Sequence, residues 1–292
     1  MTGKIIKGIA GFYYVWGEDR QIYECKAKGI FRNQSIKPVV GDEVEIAVLN
    51  LHPPEGNIEK VLPRKNILIR PAAANIDQVL IVSALKDPKP NLNLLDRFLV
   101  TVERLKIPAA VGFGKTDLAD ESIGDRYRLI YESAGYPVLF FSTYEDRGIG
   151  QVQSFLRGKT TVLAGPSGVG KSSLMNRILP KAQMETGSIS EKIRRGRHTT
   201  RHSELFCTEP ETYLMDTPGF SSVFVEDMEA QELKDYFPEF ASCEAQCRFP
   251  GCVHIGERDC GVKTAVEEGR ISVSRYENYR LFYQELKNRR RY

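Results

Sequence analysis

Nowhere in the 292 residues does an apolar run approach the roughly 20 positions needed to cross a bilayer, so no membrane partner is expected. The opening MTGKIIKGIAG has no apolar stretch long enough for a secretory signal, which argues for a cytoplasmic protein. Charge of one sign is also missing. With 41 Lys and Arg against 38 Asp and Glu, net charge by itself points to no partner. Cysteine is sparse and unevenly spread: of six, Cys243, Cys247, Cys252 and Cys260 fall within eighteen residues. That crowding speaks against a disulfide framework and for a metal site, while Cys25 and Cys207 read as lone strand thiols. Internal repeats are absent. An apolar share of 41% with 27% charge excludes a disordered or collagen-like chain. The length exceeds the roughly 250 residues over which one core usually grows, so several domains are expected.

What is present is organised in blocks. Residues 1–68 carry short alternating runs broken by turn residues, as in GIAGFYYVWGEDRQIYECKAKGIF and PVVGDEVEIAVL, the pattern of a small antiparallel barrel. Pro63 and Pro71, around RKNILIR, mark a linker. From about residue 76, five apolar segments (77–85, 108–113, 137–142, 160–165 and 212–216) alternate with helical sequence, which predicts a mostly parallel sheet covered on both faces. After Phe224 the strands stop, and a Cys/His knot precedes helical sequence to the end. Charge is segregated locally: KIRRGRHTTRH (192–202) and the KNRRRY tail are basic, whereas 226–239 is acidic. Basic clusters of this kind serve nucleic-acid binding or are simply solvated loops.

The segment GPSGVGKSS, Gly165, Pro166, Ser167, Gly168, Val169, Gly170, Lys171, Ser172 and Ser173, follows an apolar strand and precedes a helical run, which is the required setting for a phosphate-binding loop. Its glycines turn backbone N–H groups toward phosphate oxygens at a helix start. Lys171 is placed to neutralise β- and γ-phosphates, and the Ser172 hydroxyl to bind Mg²⁺. The segment DTPGF, at the end of a later strand, supplies Asp216 for the metal and Gly219 near a γ-phosphate. Between them GRHTT carries His198, Thr199 and Thr200, where a phosphate-sensing loop belongs; either threonine can serve the metal. The segment GKTD reads the base: the Asp117 carboxylate accepts from guanine N1–H and N2–H₂, which adenine cannot offer, the Lys115 stem covers the purine face, and Thr116 lies between them. Ser142 and Thr143 end the next strand, from which a backbone N–H can reach guanine O6.

The base-reading motif precedes the phosphate loop, the reverse of the usual GTPase order, so the domain is circularly permuted. A permuted GTPase between a small barrel and a Cys/His knot resembles the RsgA family, also called YjeQ or YloQ, bacterial GTPases of small ribosomal subunit maturation. GPSGVGKSS, GRHTT, DTPGF and CRFPGCVHIGERDC carry the resemblance over essentially the whole chain. It implies a multidomain α/β protein: an OB-fold in 1–68 that binds RNA, a circularly permuted P-loop GTPase domain in 69–223 and a helical zinc-binding domain in 224–292. It also implies GTP hydrolysis stimulated by the 30S subunit, with 16S rRNA, GTP and GDP as partners, Mg²⁺ with the nucleotide, and a monomer.

Two positions depart from the pattern. Gly114 stands where an Asn usually ties the base loop to the phosphate loop, and Phe220 where many GTPases place a catalytic Gln. Since phenylalanine cannot orient water, His198 is the expected substitute, delivered when rRNA orders the loop through Arg194, Arg195 and Arg197; the competing reading has it contact RNA phosphate. In the knot, Cys247, Cys252, His254 and Cys260 complete one closed, structural Zn²⁺ site; Cys243 competes by spacing, and the family pattern favours Cys247. Of Phe12, Tyr13, Tyr14 and Trp16, with Arg32 and Lys37 near them, at least two are expected in the barrel core. Tyr276, Tyr279 and Phe282 or Tyr283 form a packing stripe. The alternatives are an RNA-binding assembly module using GTP as an affinity switch, and a P-loop ATPase or kinase, the latter opposed by GKTD and DTPGF.

Overall fold

A computed structural model of the chain describes residues 1–28, 31, 36–68, 72–179, 204–216 and 228–289. Two compact units share the chain: Met1–Val79 with Val152–Ala164 and Lys171–Ser221, and Leu80–Gln151 with Gly165–Gly170 and Ser222–Tyr292.

In the first unit, β1 (Thr2–Ile9), β2 (Phe12–Gly17), β3 (Ile22–Ala27), β4 (Glu43–Leu51) and β5 (Pro54–Val61) close into a barrel ordered β1-β2-β3-β5-β4. The closing pair β3 and β5 is parallel, and the other pairs are antiparallel. Alternation along the strands sends Ile5, Val15, Tyr23, Cys25, Val44, Ile46 and Ile58 inward, leaving no unpaired edge. The aromatics correct one expectation. Among the four on β2 only Tyr13 packs against this core, while the buried residues of the strand are Val15 and Gly17. Phe12, Tyr14 and Trp16 are half-buried, with Lys26 5.3 Å over the Phe12 ring and Lys7 6.0 Å over the Tyr14 ring. Lys37 is exposed, and Arg32 lies outside the described residues.

The segment after the barrel is less free than a linker. Arg64 grips the fully buried Asp42 with two hydrogen bonds of 2.7 and 2.8 Å. Asn66 exchanges side-chain hydrogen bonds with the Ile76 backbone, and Asn75 donates to Gly41 O. Short strands β6 (Ile67–Leu68) and β7 (Ala73–Ala74) pair beside them; Pro71 lies outside the described residues.

A six-stranded sheet runs in the order β10-β9-β8-β11-β13-β12, with β8 (Gln78–Ala84), β9 (Ala109–Gly114), β10 (Val138–Phe140), β11 (Thr160–Ala164), β12 (Leu205–Glu209) and β13 (Thr212–Asp216). All five expected strands are there. Every residue of β8 and β11 is buried, which explains their mostly apolar character; of their polar members, Gln78 donates to Thr161 Oγ1 at 3.0 Å and Thr160 Oγ1 accepts from Lys4 at 3.3 Å. The sixth strand, β12, was not expected, and it pairs antiparallel with β13 at the sheet edge. The helices α1 (Leu92–Arg104), α2 (Glu121–Glu132), α3 (Ile149–Leu156) and α4 (Lys171–Ile178) connect the strands. The first is capped by Asn91, whose side chain accepts from Leu94 N, and buries Leu95, Phe98, Leu99 and Val102 at helical spacing.

The second unit ends in a 3₁₀ turn (Ala230–Tyr236) followed by α5 (Pro238–Glu244), α6 (Gly261–Glu267) and α7 (Val273–Asn288). Their core joins Phe237, Phe240, Val262, Tyr279 and Phe282 to Val100 of α1, with Tyr276 and Tyr283 packed against it. The aromatic stripe of α7 is therefore packing. Through that core runs Arg275, 1% exposed, with Nε and Nη2 on the Glu239 carboxylate at 2.8 and 3.0 Å and Nη1 on Asp96 at 2.8 Å. Asn278 donates to the remaining Asp96 oxygen at 2.6 Å. Burial works against the guanidinium charge, and the two carboxylates outweigh it, so Arg275 stays ionised. Breaking such a set strands two buried carboxylates. Arg275→Met should accordingly lower unfolding free energy by about 3–5 kcal/mol, read from urea titrations.

Candidate functional site

The phosphate loop forms where β11 leaves the sheet. Gly165, Gly168 and Gly170 adopt φ of +133°, +80° and +100°, and α4 starts at Lys171. The first of these also leaves no room: a Cβ on Gly165 would stand 2.1 Å from Val82 O. Val169 is buried and anchors the turn. Lys171, Ser172 and Ser173 thus occupy the first turn of a helix, the end at which the helix dipole favours phosphate. In β13, Asp216 pairs in register with Leu163 of β11, so its backbone lies beside the entry to the loop. The side chain of Asp216, and all of His198, Thr199, Thr200, Gly219, Phe220, Arg194, Arg195 and Arg197, lie outside the described residues.

The base loop leaves β9 at Gly114. Lys115 turns left-handed at φ 59°, and Thr116, Asp117 and Leu118 form one 3₁₀ turn. The Lys115 ammonium donates to Asp87 O, which fixes its stem. Asp117 accepts a hydrogen bond from the hydroxyl of the fully buried Ser142. That same hydroxyl accepts from Tyr144 N at 3.2 Å and Glu145 N at 3.1 Å, so Ser142 joins the Asp117 carboxylate to the following loop. Its backbone N–H already donates to Arg147 O at 2.9 Å, which leaves Thr143 as the member of the pair able to turn an N–H toward a base.

The ligand atoms of Cys247, Cys252, His254 and Cys260 lie within 4.8 Å of one another. His254 Nδ1 stands 3.6 Å from Cys247 Sγ and 3.4 Å from Cys260 Sγ, whereas its Nε2 faces Glu244 Oε1 at 3.3 Å. Nδ1 is therefore the nitrogen that faces the sulfurs, and the carboxylate orients the ring. Lys234 in turn holds Glu244 at 2.9 Å. Burial alone would raise the Glu244 carboxyl; the hydrogen bonds from Lys234 and His254 outweigh it and bring it below its usual value. The Glu257 carboxylate accepts from Val253 N, Ile255 N and Gly256 N, which holds the knot's loop open around the cluster. Burial pushes the Cys252 thiol up to about 12 and also raises Cys260, so thiolate at this cluster calls for a compensating cation. Three sulfurs and one imidazole in a closed group suit Zn²⁺ in a structural role. Cys243 stays outside: it is buried in the aromatic core, with Arg270 Nη1 3.3 Å from its sulfur.

Sequence reasoning found these clusters but not the residues that orient them. Ser142 was expected to work through its backbone rather than its hydroxyl, and Glu244 and Glu257 carried no spacing signal. Comparison with known proteins agrees with the geometry. The RsgA GTPase model matches residues 61–226 and the RsgA N-terminal domain model residues 2–53. A relative from Agathobacter rectalis, named small ribosomal subunit biogenesis GTPase RsgA, is 54% identical, with all of both chains covered. One of the same name from Alkaliphilus metalliredigens is 48% identical over 99% of each. Among solved structures, YjeQ from Thermotoga maritima superposes with TM-score 0.84 at 37% identity, covering 99% of each chain. YloQ, described as a circularly permuted GTPase, gives 0.82 at 36%, covering 100% of this chain and 96% of its own. With both family models matched along the chain and a relative 54% identical over its full length, this protein belongs to the RsgA GTPase family.

Proposed function

We propose that this chain binds the 30S subunit during late small-subunit assembly and hydrolyses GTP there, using hydrolysis to time release of itself or of other factors. The carrying observation is the base-reading Asp117, locked by the Ser142 hydroxyl, in the same unit as the phosphate-loop glycines. Lys115, Thr116, Asp117 and Thr143 take the guanine, with Ser142 orienting Asp117. Residues Gly165 to Ser173 take the phosphates, and Gly219 accompanies the γ-phosphate. Ser172 would hold the Mg²⁺ that accompanies GTP, with Asp216 reaching it through water and Thr199 or Thr200 adding a hydroxyl; the ion would neutralise charge on the phosphate oxygens. Water adds to the γ-phosphorus as the bond to the β–γ bridging oxygen breaks, giving GDP and phosphate. His198 orients that water once 16S rRNA orders the basic segment 192–202.

The domain assignment 1–68, 69–223 and 224–292 follows the same reading, as do a cytoplasmic location and a monomer. Among the described residues no helix is long and apolar enough to cross a membrane. The barrel meets RNA through the Lys-flanked Phe12 and Tyr14, and the knot holds one structural Zn²⁺.

Turnover measured with GTP and ATP, with and without 30S subunits, tests the reading: GTP turnover should be slow alone and fast on the subunit, and ATP turnover negligible. Lys171→Ala and Ser172→Ala should each cost at least about 100-fold, because each removes charge or metal stabilisation from the transferring phosphoryl group; rates within threefold of wild type would refute the phosphate-loop roles. Elemental analysis of protein purified without chelator should give one zinc per chain, retained in Cys243→Ser and lost in Cys252→Ala. His198→Ala should keep nucleotide and 30S binding while losing most of the stimulated rate; an unchanged rate removes His198 from the mechanism.

A further inference from the structure

The end of β9 reads Val-Gly-Phe-Gly, and the two-residue period of a strand puts Gly112 and Gly114 on one face. Both positions look onto the same ring. A Cβ on Gly112 would stand 3.2 Å from Leu80 Cδ1 and 3.3 Å from Phe141 Cε1, and one on Gly114 would stand 2.9 Å from Phe141 Cε2 and 3.1 Å from Cζ. Gly114 Cβ would also lie 3.5 Å from Val169 O in the phosphate loop. The φ of Gly114 lies outside the left-handed region, so this glycine is required for space rather than for backbone freedom. Phe141 is 1% exposed and has nowhere to retreat. Its backbone is equally engaged: Phe141 N donates to Phe113 O at 3.0 Å, and Phe141 O accepts from Thr116 N at 3.4 Å. The next residue is Ser142, whose hydroxyl holds Asp117.

We propose that Phe141 is a positioning residue for guanine reading: its ring, seated on Gly112 and Gly114, sets the base loop against the phosphate loop in place of a polar side chain at 114. The ring fixes where Thr116 and Ser142 sit, and through Ser142 it fixes the Asp117 carboxylate. Gly114 and Phe141 therefore work as a pair, and restoring a polar residue at 114 alone harms the site it would be expected to improve. This rests on the assignment of Gly114 to Asp117 as the base-reading loop.

The test is a double-mutant cycle on the full chain, with dissociation constants for GDP and inosine diphosphate and a thermal midpoint for each protein. Gly114→Asn should weaken GDP binding about tenfold or more, the cost of overpacking a filled site. Phe141→Ala should also weaken it, with the larger loss for GDP than for inosine diphosphate, because a displaced carboxylate loses its contact with the 2-amino group that inosine lacks. A merely structural role would lower the midpoint and leave that ratio unchanged. The double variant Gly114→Asn/Phe141→Ala should bind GDP more tightly than either single variant. If Gly114→Asn does not fold, Gly114→Ala carries the same arm of the cycle, since its Cβ alone meets the ring. Wild-type or tighter GDP binding by the single variant at 114, an unchanged nucleotide ratio in Phe141→Ala, or a double variant no tighter than the better-binding single one would each overturn the pairing. Asp117→Asn separates the two levels: unchanged guanine preference there refutes the base-loop assignment itself, whereas relaxed preference with no recovery in the double variant refutes only the role of Phe141.

Discussion

A guanidinium with no access to water can persist only where carboxylates are brought to it, and Arg275 makes that demand on two parts of the chain at once. Asp96 comes from α1, which covers the nucleotide-binding sheet, and Glu239 comes from α5, beside the metal knot. Neither helix alone satisfies the charge. The three-way ion pair accordingly makes the last helix a condition for the packing of α1, and it explains why one aromatic core runs from Val100 through Phe237 and Phe240 to Tyr279 and Phe282. Replacement by apolar residues could match its stability, so its contribution is better seen as register: α7 fits in the one rotation that presents Arg275 inward.

The metal knot extends this constraint rather than standing apart from it. Cys252 and Cys260 are members of the same core as Phe240, and Tyr276 and Tyr279 donate hydrogen bonds to the His254 and Val253 carbonyls. A ligand atom held by a core helix is already oriented before any ion arrives. The outer carboxylates act in the same sense, Glu244 on the His254 ring and Glu257 on the loop N–H groups. The packing of the helices is therefore also what brings the three sulfurs and the imidazole together.

Most of the architecture was legible because its signals are local. Alternation marked the barrel, continuous apolar runs marked the strands, and the glycine spacing of the phosphate loop marked its turn. The failures involve information held by partners distant in sequence. Arg275 reads as one more charge on an exposed helix, since Glu239 and Asp96 lie 36 and 179 residues away. Gly114 was visible as a departure, but its cause is the ring of Phe141, one residue past the end of β10 and 27 positions away in sequence. The edge strand β12, LFCTE, is short and half-buried, so neither a two-residue period nor an apolar run announces it. The aromatics of β2 were over-assigned to the core because ring size says nothing about which face of a strand it occupies.

The position of β12 also shows how the barrel bears on the nucleotide-binding part of its own unit. Glu204, the residue immediately before β12, forms an isolated antiparallel bridge with Lys7 of β1 and an ion pair with it at 3.0 Å, both side chains mostly buried. Three residues earlier in the same barrel strand, Lys4 donates to Thr160 Oγ1 at the start of β11 and lies 4.9 Å over the Tyr213 ring of β13. One barrel strand thus touches the strand that leads into the phosphate loop, the strand that ends at Asp216, and the residue at which the chain returns from the basic segment carrying Thr199 and Thr200. Because partly buried ion pairs are costly to separate, displacement of β1 cannot leave these three points unmoved. The barrel is therefore mechanically continuous with β11 and β13, which a barrel joined only by a flexible linker would not be.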